Sequence, residues 1–219
     1  MFFKKKAIIF DLDGVICFTD KFHYQAWKAL SDRLGLDFDE KINDRLRGVS
    51  RMASLEIILE HSDSVYTQDE REALAFEKNK IYRKLLKSMN PSDLSDEVKH
   101  TLVDLRNRGY KLAIGSSSRN AKFILKQIGL FDFFDAIADG TDITHSKPDP
   151  EVFLVSAKKL GIDPTDCAVV EDAKAGIEAA KIGGITALAL FGDAKDCGLA
   201  DYNLTSFRDL LNIFPDLIK

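Results

Sequence analysis

The chain has 219 residues, 45% hydrophobic and 30% charged, which is globular composition and excludes a disordered, collagen-like or coiled-coil protein. Its 31 Lys and Arg stand against 35 Asp and Glu, a net charge of −4, so no basic excess is available for a phosphate backbone and a nucleic-acid partner is not expected. The length fits one domain with a sizeable insert, or two small ones.

The start, Met1-Phe2-Phe3-Lys4-Lys5-Lys6, is basic, but the apolar run Ala7–Phe10 stops at Asp11. That is short of the about 7 to 15 apolar residues of a secretory signal and the about 20 of a membrane span. Cys17, Cys167 and Cys197 are odd in number and show no metal-ligand or CxxC spacing, which suits reduced thiols. A soluble cytoplasmic protein without a membrane partner is expected.

Ala7–Phe10 reads as the first strand. From about 20 to 90 the periodicity is helical, in Tyr24–Leu34, Ser54–Glu60 and Asp69–Lys87, the last opened by the capping box Thr67-Gln68-Asp69-Glu70. Beyond 95 helix and strand alternate: helices Asp96–Arg108, Ala121–Ile128, Glu151–Leu160, Ala173–Lys181 and Phe207–Ile213, and strands Lys111–Gly115, Ala136–Ala138, Ala168–Val170 and Thr186–Leu190. Asp149-Pro150-Glu151 reads as a cap followed by proline at the first helical position. Strands that are continuously apolar, without alternation, are buried on both faces, as in a parallel sheet. The fold class is therefore α/β: a doubly wound, Rossmann-like parallel sheet from 1–17 and 92–219, with an all-helical cap, 18–91, inserted after the first strand.

Ligands of open α/β sheets bind at the carboxyl ends of the strands. There the chain places Asp11 and Asp13, then Ser116-Ser117-Ser118, then Lys147, then Glu171-Asp172. Each has a plain alternative: a strand-end turn for the aspartates, a hydroxyl turn for the serines, a helix-terminus charge for Glu171-Asp172 and a surface position for Lys147. Their common sheet edge argues for one crevice. Clustered carboxylates repel, and an all-oxygen site of this kind suits Mg²⁺. Beside the ion a carboxylate can attack a phosphoryl group held by lysine and by donors around Ser116, which gives an aspartyl-phosphate. If the strand continues to Asp13, both aspartates face the same way and Asp13 can act as acid/base to Asp11 as nucleophile.

Asp11-Leu12-Asp13-Gly14-Val15, Ser116, Lys147-Pro148 and Glu171-Asp172 together resemble the four-part signature of the haloacid dehalogenase superfamily of phosphoryl-transfer enzymes. The cap residues Thr19, His23, Trp27, Gly48-Val49-Ser50-Arg51, Ser54 and Lys78, with Ser116-Ser117-Ser118-Arg119-Asn120, resemble the sugar-phosphate mutase branch of that family; the likeness runs from about 7 to 190. The resemblance implies Mg²⁺, one per subunit, held by Asp11, the Asp13 carbonyl, Glu171 and Asp172. It implies Asp11 as nucleophile and Asp13 as acid/base, with Lys147 and Ser116 on the transferring phosphate. It places Arg51, Ser118 and Asn120 near the remote phosphate, the 48–50 segment on the sugar, Thr19 at a hinge, and His23 and Lys78 coupling closure to Asp13. Trp27 by itself reads as cap core with Leu30 and Leu34. The implied reaction is an intramolecular phosphotransfer between β-D-glucose 1-phosphate and β-D-glucose 6-phosphate, with β-glucose 1,6-bisphosphate as intermediate and activator, by a monomer whose partners are small sugar phosphates. The alternatives are a phosphatase of small sugar phosphates and a non-enzymatic sensor, the latter disfavoured because Asp11 and Asp13 are both present. Where relatives carry Asp before the hinge threonine, this chain has Phe18, which bears on hinge geometry.

Overall fold

The computed structural model describes residues 5–46 and 49–218. The chain forms two compact units, Met1–Phe18 with Asn90–Lys219, and Thr19–Met89. Along the chain the elements are β1 (Ala7–Phe10), α1 (Asp20–Leu34), α2 (Glu40–Asp44), α3 (Arg51–Leu59), α4 (Gln68–Leu86), α5 (Asp96–Asn107), β2 (Lys111–Gly115), α6 (Ala121–Gln127), β3 (Ala136–Ala138), α7 (Glu151–Leu160), β4 (Cys167–Glu171), α8 (Lys174–Ile182), β5 (Thr186–Ala189), α9 (Gly192–Asp196), β6 (Tyr202–Asn203) and α10 (Leu210–Ile213).

Among the described residues six strands pair in parallel in the order β3-β2-β1-β4-β5-β6, the doubly wound order in which the winding reverses between β1 and β4. Ala7–Phe10 is fully buried, as a central parallel strand with helices over both faces must be. Ile9, Ala113 and Val169 pack on one face with Val152, Phe153 and Ala157 of α7 and Ile177 of α8. On the other, the Phe10 ring lies 6.4 Å from that of Phe134 and 5.6 Å from that of Phe207.

The second unit holds helices and loops, with no strand among its described residues, and carries its own core of Trp27, Leu30, Phe38, Leu46, Leu55, Ile58, Leu59, Leu74 and Ala75. The Thr67–Glu70 capping box opens α4 as expected. Several boundaries differ from the pattern reading. α1 begins at Asp20, four residues before the apolar period shows it, and α3 begins at Arg51, where Ser50 accepts a hydrogen bond from the Ala53 N–H. The short α2 and α9 and the exposed β6 are too brief to show a period. Pro150 is the residue flanking α7, one position earlier than expected, and the Asp149 carboxylate accepts from the Glu151 N–H across it. Among the described residues no helix is long and apolar enough to cross a membrane.

Candidate functional site

β1 does not run on to Asp13: it ends at Phe10, and the chain turns at Gly14 with φ of 86°. The turn is closed by the Gly14 N–H donating to the Cys17 carbonyl and by the Cys17 N–H donating to that of Leu12. Asp11 and Asp13 are therefore not aligned by a strand period as expected; Asp13 is set by this loop, where it bridges to Cys17. Glycine is required at 14, because the backbone is left-handed there and a Cβ would overlap the Asp172 carboxylate.

Asp11 leaves β1 with its N–H on the Val170 carbonyl, so it stands beside Glu171 at the reversal between β1 and β4. Lys147 arrives from the loop after β3, next to the cis Lys147–Pro148 bond. Its Nζ donates to Asp11 Oδ1 and Glu171 Oε1, each at 2.5 Å. The plain reading of Lys147 as a surface lysine is overturned, for its side chain is only 9% exposed. The loop that carries it is anchored by Asp142, which pairs with Lys122 of α6 at 3.2 Å and Lys159 of α7 at 2.9 Å. Ser117 Oγ accepts from the Lys147 N–H at 3.5 Å.

Glu171 combines both of its readings. Its Oε2 accepts from the N–H groups of Asp172 and Ala173 at the entrance to α8, while Oε1 faces Lys147. Ser116 and Ser118 do form hydroxyl turns, accepting from the N–H groups of Ser118 and Asn120 at 3.2 Å. Ser116 is also buried at the end of β2, with its N–H on the Ala138 carbonyl, and Asn120 is buried at the start of α6.

Oxygens of Asp11, Glu171 and Asp172 lie within 4.8 Å of one another. Burial, with the charge of Glu171 adding to it, pushes the Asp11 carboxyl up to about 7 although Lys147 pulls it down. Burial and the charges of Glu171 and Asp11 push Asp172 up to about 9. Burial opposes the Lys147 charge, but Asp11 and Glu171 outweigh it and hold the ammonium above its ordinary range. One ammonium therefore does not neutralise the carboxylates, and the all-oxygen donor set fits a hard dication such as Mg²⁺.

In the helical unit His23, Trp27 and Lys78 come together. The buried Lys78 Nζ lies 2.9 Å from His23 Nδ1 and 4.5 Å from the centroid of the Trp27 ring. Burial, then Lys78 and Arg51, hold His23 well below its ordinary pKa. Trp27 is a core residue on whose ring Lys78 rests. Thr19 is buried and its Oγ1 accepts from the Tyr82 hydroxyl at 2.9 Å. Arg51 and Ser54 lie on α3, Ser54 buried, while Val49 and Ser50 are exposed before it. Gly48 lies outside the described residues. Phe18 is exposed, its ring 6.3 Å from that of Phe191.

Four residues outside the sequence motifs shape these groups. A Cβ at Gly176 would overlap the Glu171 carboxylate, and one at Gly192 would come within 2.5 Å of the Asp172 carbonyl. Tyr82 and Phe153 read as helix core, which they also are. Only contacts across sequence separate these roles from packing.

Residues 5–184 match the haloacid dehalogenase-like hydrolase family. The chain is 42% identical over 187 residues to a β-phosphoglucomutase of Bacillus subtilis (strain 168), covering 84% of this chain and 83% of that protein. It is 34% identical over 189 residues to the fructose-1-phosphate phosphatase YqaB of Escherichia coli (strain K12), covering 86% and 97%. A crystal structure of β-phosphoglucomutase from Clostridium difficile superposes with a TM-score of 0.85 at 37% identity, covering 94% of this chain and 93% of that one.

Proposed function

We infer the reaction of this chain from its family: it belongs to the haloacid dehalogenase-like hydrolases. It is a phosphoryl-transfer enzyme acting on small sugar phosphates, and within that class a β-phosphoglucomutase, interconverting β-D-glucose 1-phosphate and β-D-glucose 6-phosphate. The observation that carries the chemistry is Asp11 held between Lys147 and the Glu171–Asp172 pair at the reversal of the sheet. The 42% identity to a mutase, against 34% to a phosphatase, favours transfer to a sugar hydroxyl over transfer to water.

In this reading an Asp11 oxygen attacks phosphorus, the bond from phosphorus to the sugar oxygen breaks, and Asp13 delivers a proton to that oxygen. In the other half the 6-hydroxyl of β-glucose 1-phosphate attacks the aspartyl-phosphate, its proton passes to Asp13, Asp11 is released and the 1,6-bisphosphate forms; the first step, taken on the 1-phosphate of that bisphosphate, then gives β-glucose 6-phosphate and restores the aspartyl-phosphate. Lys147 and the donors around Ser116 carry the charge of the transferring group. Arg51 takes the remote phosphate, since its planar fork binds phosphate bidentately, with Ser118 and Asn120 on the same group and Val49, Ser50 and Ser54 toward the sugar. His23 and Lys78 report substrate enclosure to Asp13. Asp11, Glu171, Asp172 and the Asp13 carbonyl would hold one Mg²⁺, which supplies charge neutralisation and polarises the phosphoryl oxygens when bound. β-Glucose 1,6-bisphosphate serves as intermediate and activator.

Phosphorus NMR of the protein with Mg²⁺, β-glucose 1-phosphate and catalytic 1,6-bisphosphate tests this. Glucose 6-phosphate forming without inorganic phosphate is expected. Inorganic phosphate as the main product would make the chain a sugar-phosphate phosphatase, the reading that the 34% relative favours.

A further inference from the structure

Phe153 lies in the first turn of α7 and is fully buried. Its ring reaches the end of β2 one residue before Ser116: a Cβ on Gly115 would stand 2.7 Å from ring atom Cδ1, so glycine there makes room for the ring. The face of the same ring lies under Lys147, with Nζ 4.6 Å from its centroid. That nitrogen is also the one that donates to Asp11 and Glu171. Lysine has a long flexible stem and a point charge, and it must be held from more than one side to stay in one geometry. Here two carboxylates hold it, Asp11 just past the end of β1 and Glu171 at the end of β4, and a π face holds it from α7. The side chains of Lys147, Asp11 and Glu171 are 9%, 11% and 1% exposed, and removal of water strengthens the attraction of an ammonium to an aromatic face.

We propose that Phe153 is a positioning residue for phosphoryl transfer: its ring is the seat of the Lys147 ammonium, and Gly115 is the residue that lets the seat be built. The proposal rests on the reading of Lys147 as the lysine of the transfer site. It differs from an ordinary packing role because it depends on the electron density of the ring and not only on its volume.

The test replaces Phe153 in the full chain by mono-, di- and trifluorinated phenylalanines, which keep the shape and drain the π face stepwise. Turnover of β-glucose 1-phosphate with Mg²⁺ is read as glucose 6-phosphate plus inorganic phosphate, so either product counts, and melting temperature is read alongside. A graded fall in kcat/KM is expected, reaching about tenfold at three fluorines with an unchanged melting temperature. Lys147→Ala in the same assay reports on the site itself. If Lys147→Ala is inactive and the fluorinated series is flat, or falls only with the melting temperature, the seat is overturned and the site reading stands. If Lys147→Ala turns over normally, the site reading fails and takes the seat with it.

Discussion

Asp11 and Asp172 show how burial and like charge raise carboxyls clustered at one sheet edge. Both carboxyls are raised above their ordinary 3.8, so the folded, metal-free protein binds more protons than the unfolded chain between about pH 4 and 9. Through these two carboxyls, stability in EDTA should therefore fall as pH rises through that window, and the melting temperature with it. Mg²⁺ should stabilise the protein, and more so at pH 9 than at pH 5, because protons and the ion compete for the same oxygens. Calorimetry at several pH values with EDTA or Mg²⁺ checks the sign; a flat melting temperature in EDTA would contradict it. The two aspartates should part under substitution. Asp11→Asn removes the proposed nucleophile and should abolish acid-stable labelling of the enzyme by a phosphoryl donor. Asp13→Asn keeps the shape but cannot deliver a proton, so sugar turnover should fall at least ~100-fold while titration calorimetry still detects substrate binding.

At the level of elements, α8 shows where helix propensity and site geometry disagree. Glycine inside a helix costs about 1 kcal/mol relative to alanine, so Gly176→Ala would ordinarily stabilise the protein. Here a Cβ would overlap the Glu171 carboxylate, which is held by the Asp172 and Ala173 N–H groups and by Lys147. Gly176→Ala should instead lower stability by ~1–3 kcal/mol, the cost of overpacking, and raise the Mg²⁺ concentration needed for half-maximal activity. A denaturant melt and an Mg²⁺ titration measure both, and a stabilised variant with an unchanged Mg²⁺ requirement would show that Glu171 can yield. The loop after β1 teaches a related lesson. An Asp-x-Asp at the end of an apolar run reads as a continuing strand, yet Gly14 and the hydrogen bonds from Gly14 to Cys17 and from Cys17 to Leu12 end the strand first.

For the whole molecule, the proposed role of Arg51 is what separates the mutase from the phosphatase. A phosphate-binding arginine at the end of the substrate remote from Asp11 would stabilise the bisphosphate, and that remote binding energy favours attack by sugar over attack by water. Arg51→Ala should cost about 2 to 4 kcal/mol in transfer, roughly 30- to 1000-fold, and leave hydrolysis of the phosphoenzyme nearly unchanged. Glucose 6-phosphate formation and phosphate release measured in one sample decide it. Equal small losses in both would place Arg51 outside the site.

The sequence by itself determined the parallel sheet, the helical insertion, the motif that marks the family, and Asp11, Lys147, Glu171 and Asp172 as companions. The sheet, the insertion and the grouping of the polar residues follow from short-range facts: buried runs without alternation, 3.6-residue periods, caps, and polar residues past strand ends; the family motif was legible as a resemblance. Only the tertiary structure decided that Lys147 is buried between two carboxylates, that Asp13 sits in a closed turn, and that Lys78 lies against both His23 and Trp27. It also placed the Phe153 ring under Lys147, Gly176 against the Glu171 carboxylate and the Tyr82 hydroxyl on Thr19. In sequence a phenylalanine under an ammonium cannot be told from one in a core, since both are apolar residues on the inner face of a helix. What separates them is a partner brought close by folding.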